Sequence, residues 1–293
     1  MRIRATVAAV SGALALSALV VPAAQADSQG AVNLDRPTAA ERFGTSGAKS
    51  TARAAAAAPT ISNVTVNAGQ NLVFGTTTVR TFTVSVTASH PAGILDAYID
   101  LWHGTDPVDV DGWLPPNEEA ADCTAGSATT STCKLTITAR PGYDGEGDLT
   151  GFLYDNALAG NWHVGVGVLA NNGDLYGDDF YKTHKLQRLS KVTVNAAPEP
   201  VKKGATITVT GKLSRADWET GSYAGLPSGQ SVVLQYRKSG TTNYTNVKGI
   251  KTAASGALKT TVKAASDGYF RFNYAGITST APAVVAGDFV DVK

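Results

Sequence analysis

The chain has 293 residues, of which 43% are hydrophobic and 17% charged, with 30 Gly, 12 Pro, 2 Cys and 4 His. That length exceeds one small sandwich module and fits about two domains. A formal net charge of +1 supplies no global field for a nucleic-acid partner, and two cysteines exclude a four-cysteine zinc site.

Arg2 and Arg4 precede an apolar run from Ala5 to Val21, ended by Pro22, and Ala24-Gln25-Ala26 offers small residues for cleavage. This pattern predicts a secretory signal peptide over residues 1–26. The run is shorter than the ~20 residues of a spanning helix, so no membrane span is expected after cleavage. Residues 27–58 are rich in Ala, Thr, Ser and Gly, with Val32, Leu34 and Phe43 as the only larger apolar residues. They bury too little to offset ordering entropy and are expected to form a flexible, disordered tether.

From Thr60 the hydrophobic period becomes two. Phe82, Val84, Val86 and Ala88 alternate with Thr81, Thr83, Ser85 and Thr87. Leu95, Ala97, Ile99 and Leu101 alternate with Asp96, Tyr98, Asp100 and Trp102, and Trp162, Val164, Val166, Val168 and Ala170 with His163, Gly165, Gly167 and Leu169. Half-buried strands give this period, because successive side chains face opposite sides of a sheet. Gly104 to Asp122 reads as a long irregular loop. Cys123 and Cys133 enclose nine small or polar residues and are expected to form a disulfide that closes a hairpin-like loop. A second strand set runs from Ser190, at Lys191–Asn195, Ala205–Leu213, Ser231–Arg237, Tyr244–Thr252, Ala257–Ala264, Tyr269–Ala275 and Asp288–Val292. Many short strands at this spacing argue for sandwiches, with domains over 59–189 and 190–293. No sustained helical period occurs, which excludes helix-based DNA readers.

Residues 59–189 hold 15 acidic against 6 basic residues, net −9, whereas residues 190–293 are net +7. Three readings compete: a solvated surface, electrostatic docking on the basic domain or a partner, and calcium, which needs six to eight oxygen ligands. Asp144, Glu146 and Asp148 hold alternate positions of one Gly-rich loop, but Leu149 stands where an EF-hand requires Gly. Asp106, Asp109 and Asp111, with Glu118, Glu119 and Asp122 downstream, form a second group; Asn172, Asp174, Asp178 and Asp179 form a third. Either of the first two groups is a candidate Ca²⁺ site.

No HExxH, GxSxG or P-loop pattern is present. Gly165-Val166-Gly167-Val168-Leu169-Ala170 has the bare GxGxxA form inside a predicted strand with no helix after it, which is not a dinucleotide fingerprint. His163 is expected to face solvent or pack at a strand edge. Tyr98 and Trp102 share a strand face with Asp96 and Asp100: either ligand contacts or a face packed beneath the Gly104–Asp122 loop. Trp162 is a core candidate, and Trp218 a hydrophobic plug or a contact residue.

Lys191-Val192-Thr193-Val194-Asn195-Ala196-Ala197-Pro198, Thr208-Val209-Thr210-Gly211-Lys212-Leu213, Asp267-Gly268-Tyr269-Phe270-Arg271 and the closing Ala286-Gly287-Asp288-Phe289-Val290-Asp291-Val292-Lys293 resemble the C-terminal immunoglobulin-like module of secreted actinobacterial tandem proteins, which are often labelled calcium-binding. The resemblance covers about Leu189 to Lys293. It implies an all-β chain of two tandem immunoglobulin-like β-sandwich domains. The reading is therefore a secreted, extracellular, non-catalytic binding or structural protein, with Ca²⁺ as the implied ion and an extracellular protein or glycan as partner. The alternatives are a polysaccharide-active hydrolase, which needs two facing carboxylates, and an adhesin or inhibitor module.

Overall fold

The computed structural model describes residues 34–38, 41–43, 58–145 and 147–293. The expected signal peptide and Glu146 lie outside the described residues. The front strands are β1 (Leu34–Asp35), β2 (Thr60–Val66), β3 (Leu72–Phe74), β4 (Arg80–Ser89), β5 (Ile94–His103), β6 (Asp109–Val110), β7 (Gly112–Leu114), β8 (Asp122–Ala125), β9 (Thr130–Pro141), β10 (Phe152–Leu153), β11 (Gly160–Ala170) and β12 (Leu175–Arg188). The rear strands are β13 (Ser190–Val192), β14 (Asn195–Ala197), β15 (Thr206–Asp217), β16 (Ser222–Gly225), β17 (Ser231–Lys238), β18 (Thr245–Lys251), β19 (Ala257–Lys263), β20 (Gly268–Tyr274), β21 (Ala283–Val284) and β22 (Asp288–Val290).

Alternation becomes burial as the period predicts. Phe82, Val84, Val86 and Ala88 of β4 pack in one core with Ile99 and Leu101 of β5 and Trp162, Val164, Val166 and Val168 of β11. Each large side chain moved out of water contributes about 1.5–3 kcal/mol. One front sheet runs β10-β9-β4-β2 with β8 also on β9, and the other runs β3-β12-β11-β5-β7. Behind them, β15 carries β13, β14, β16 and β19 in one sheet, and β18-β17-β20-β21 with β22 form the other. The protein is all-β, two tandem immunoglobulin-like sandwiches. Cys123 and Cys133 sit directly opposite each other on β8 and β9 and form the expected disulfide.

Several expectations are corrected. Leu95 is 56% exposed and Ile94 is buried instead. The register of β5 on β11 shifts between Leu169 and Ala170, which pair with Asp96 and Ile94, so Leu95 is stepped over and turned outward. The Gly104–Asp122 segment is partly sheet, because β6 and β7 lie within it and β7 extends the β5 edge. His163 is not at a sheet edge; β11 lies between β12 and β5. The tether expectation for 27–58 fails at Leu34–Thr38, where β1 pairs with β6 and Arg36 is 1% exposed.

The sandwiches meet through a plug and an amide hub. Trp218, at the end of β15, is 1% exposed and belongs to the front core with Ala216. Its Nε1 donates to the Gly75 carbonyl at 3.0 Å. Asn156 of the front sandwich donates from Nδ2 to Asp217 and Glu219 at 2.9 and 2.7 Å, and its Oδ1 accepts from the Trp218 amide and the Arg188 guanidinium. Burial, then the like charge of Arg215, brings Arg188 down to about 10. The Asn156 hydrogen bond chiefly holds the Asp217 carboxyl below its ordinary 3.8. A carboxylate with a depressed folded-state pKa adds stability above its unfolded pKa and loses it as pH falls through the folded value. Thermal melts should therefore show the wild-type transition dropping below about pH 4, and Asp217→Asn flattening that drop. An unchanged slope in the variant would remove Asp217 from the acid response.

Candidate functional site

Strand β5 has two buried faces. Ala97, Ile99 and Leu101 enter the core, while Tyr98, Asp100 and Trp102 on the other face are 3%, 0% and 0% exposed. A sheet face carrying a carboxylate is normally left to water, and here the covering comes partly from residues 34–38 and 41–43. Leu34 and Asp35 pair with Val110 and Asp109, and the Arg36 amide donates to the Val108 carbonyl at 3.0 Å. Thr38 and Glu41 then exchange hydrogen bonds in a capping box that starts the turn Glu41–Phe43. Arg42 lies over the Tyr98 ring at 5.6 Å.

Arg36 is the centre. Its Nε and Nη2 donate to Asp100 Oδ2 and Oδ1 at 2.6 and 2.9 Å, a bidentate fork. Its Nη1 donates to Asp179 Oδ1 at 2.8 Å and to the Pro107 carbonyl at 2.9 Å. The guanidinium lies 5.4 Å from the Trp102 ring centroid. Asp100 Oδ2 also accepts from Tyr98 Oη at 3.0 Å and Trp113 Nε1 at 2.9 Å. Trp102 Nε1 donates to the Asp179 carbonyl at 2.8 Å, and its ring stacks on His163 with centroids 4.3 Å apart. Burial alone disfavours the Arg36 cation, but the bonds and charge of Asp100, then Asp179, outweigh it and raise its pKa. Burial, then the Asp100 charge, raises that of Tyr98.

Gly165 faces Asp100 across the β11–β5 ladder. A Cβ there would stand 2.2 Å from Arg36 Nη2 and 2.4 Å from Asp100 Oδ1, so the side chain is absent where the guanidinium enters. The GxGxxA run thus has a steric meaning. Beside the pocket, Pro37, Arg42, Tyr98, Trp113, Pro115 and Pro116 line a cavity of about 120 Å³.

Tyr98 and Trp102 come together as pocket walls around Arg36, and their face is covered, as the second reading expected, rather than open to solvent. The described members of the calcium candidates have the following partners, Glu146 lying outside the described residues. Asp106 Oδ1 accepts from the Val108 amide, Asp111 Oδ1 meets His103 Nδ1 at 2.6 Å, and Asp109 faces Asp35 across β1–β6. Asp148 Oδ1 accepts from the Thr150 amide. Glu118 is held by the Thr136 amide and hydroxyl. Among the described residues, Asp144 included, no three His, Cys, Asp or Glu side chains form a metal-holding group, and the residues do not fit a calcium cage. In the third group Asp174 meets His90 at 3.1 Å, Asp178 accepts from the Phe180 amide, and Asp179 turns to Arg36. Arg36, Trp113 and Gly165 were not singled out from sequence as parts of a site.

No family model and no curated protein sequence matches the chain. Among solved structures, dimeric latent PorU from Porphyromonas gingivalis aligns at a TM-score of 0.27 and 12% identity over 84% of this chain and 21% of that one. Red sea bream transglutaminase aligns at 0.27 and 13%, over 87% and 33%. The D0-D1 domain of intimin aligns at 0.23 and 14%, over 78% and 97%. The chain spans about a fifth and a third of the first two. Likenesses this distant say nothing about ligand or activity. Among the described residues no helix is long and apolar enough to cross a membrane.

Proposed function

We propose that the protein is a secreted, non-catalytic binding protein whose front sandwich recognises an extended polypeptide at the β6 edge and the adjoining pocket. The observation that carries this reading is the burial of Arg36. A charged side chain with 0% exposure is lodged in a pocket whose polar groups all belong to the front sandwich. The two carboxylates there, Asp100 and Asp179, are bridged by one guanidinium and hold it as acceptors. Strand addition supplies main-chain bonds and the pocket supplies side-chain selection, the two parts of extended-peptide recognition. The Cys123–Cys133 disulfide fits an oxidising, extracellular setting.

The test is to pan a random-peptide display library against the full chain carrying Arg36→Ala, with the Arg36→Ala/Asp100→Asn double variant as counter-selection. Peptides that bind the first and not the second are the expected result. Enrichment of none, or equal binding to both, overturns the reading.

A further inference from the structure

We propose that the pocket is specific for an arginine side chain on an extended peptide of a partner protein, and that residues 34–38 are a tethered competitor that such a partner displaces. This inference rests on the peptide-binding reading above and names its ligand and its gate.

The walls are made for a guanidinium. Four of its five N–H groups meet acceptors on Asp100, Asp179 and Pro107, and its Cζ lies 5.4 Å from the Trp102 ring centroid. A lysine ammonium is a compact point charge that does not reproduce the fork. The Asp100 carboxylate is held independently of Arg36 by Tyr98 and Trp113, and Trp102 fixes the Asp179 backbone through its carbonyl. Such preorganisation lowers the cost of admitting any matching side chain.

The resident segment is a poor fit elsewhere. Its ladder is two residue pairs, one of them Asp35 facing Asp109, and like charges directly opposite weaken a ladder. Its Pro37, with Arg42, lines one side of the cavity of about 120 Å³ beside Tyr98 and Trp113. A buried ion pair stabilises no better than a well-packed apolar plug. Its use on a short arm suits an occupant that must leave and be replaced. As a tethered competitor, the segment acts at an effective concentration of order millimolar, so a partner has to bind more tightly or fill the adjoining cavity.

The experiment uses the full chain as wild type, Arg36→Ala, Arg36→Lys and Gly165→Ala. The probes are the blocked peptide Leu-Asp-Arg-Pro-Thr, its lysine analogue and N-ethylguanidinium. Trp102 and Trp113 report binding by fluorescence, and thermal melts report stabilisation. Arg36→Ala should bind the arginine peptide at least about tenfold more tightly than the lysine analogue, and N-ethylguanidinium should raise its melting temperature. The wild type should bind the peptide at least about tenfold more weakly than Arg36→Ala, with Arg36→Lys between them and serving as the readout if Arg36→Ala does not fold. Gly165→Ala should bind neither probe.

Equal affinity for the two peptides overturns arginine specificity and leaves peptide recognition standing, as do library peptides without arginine. Equal affinity in wild type and Arg36→Ala overturns the competitor role. Retained binding in Gly165→Ala places the ligand elsewhere and overturns the proposal. A wild-type dimer that Arg36→Ala dissolves assigns the pocket to a second copy of the chain and overturns the partner.

Discussion

Asp100→Ala is expected to lower unfolding stability by about 3–5 kcal/mol, because one partner of a buried ion pair is removed and the other is left uncompensated. Asp100 is the acceptor for Arg36, for the Tyr98 hydroxyl and for the half-buried Trp113 indole, so the guanidinium is left with Asp179 and Pro107 alone while two neutral donors lose this acceptor. Arg36→Ala should cost less, since Asp100 keeps the Tyr98 and Trp113 bonds and the arm can swing into water. The arm also offers relief to Asp100→Ala: residues 34–38 can detach and rehydrate the guanidinium. Urea unfolding of both single variants and the double variant measures the coupling, and hydrogen exchange at residues 34–38 measures the release. The expected order is Asp100→Ala well below Arg36→Ala, with the double variant no worse than Asp100→Ala and amide protection at Arg36 lost in all three. Equal, small effects would mean the pocket is wet and the arm adds little.

Trp218→Ala is expected to cost about 3–5 kcal/mol as well and, for a unit of this size, to lower the melting temperature by about 10 °C or more. The cause differs. Trp218 comes from the rear strand β15 but lies in the front core and donates to the Gly75 carbonyl. Its loss opens a cavity in one sandwich and loosens the other. Calorimetry should show one wild-type transition dividing into two, because the hydrogen bonds left at Asn156, Gln187 and Arg188 lack the plug's apolar burial. A single transition at the wild-type temperature would show that the plug contributes nothing to that coupling.

Much of the framework was legible because its signals are periodic. The alternation of β4 and β11 and the acid–aromatic face of β5 follow from residues two apart, and the paired cysteines from their being the chain's two. What was missed is aperiodic. Leu34 and Arg36 stand alone in an Ala- and Thr-rich stretch, and a two-residue strand has no period to detect. Strands β6, β10 and β21 are equally short. Leu95 was misassigned because a bulge changes facing without changing composition. Trp218 stood between two readings until its receiving core was placed. Two local signals did bear on the pocket. Gly165 and Gly167 open space opposite Asp100 and Tyr98, and Thr38-Ala39-Ala40-Glu41 has the capping-box spacing. Neither points to the other without the fold. Among the acidic residues, Asp106, Asp111, Asp148 and Asp178 are each engaged by a neighbouring amide or imidazole, which spacing along the chain does not show.

Asp179, the second carboxylate around Arg36, lies 143 residues further along the chain, on β12. A growing chain therefore delivers the guest long before its host exists. The pocket closes only after β5, β11 and β12 have found one another, and such long-range contacts are the late ones in folding. Until then residues 34–38 are open to proteases and to other partners. Once the host is complete they are withdrawn. Arm protection is in that sense a built-in report that the front sandwich has finished folding.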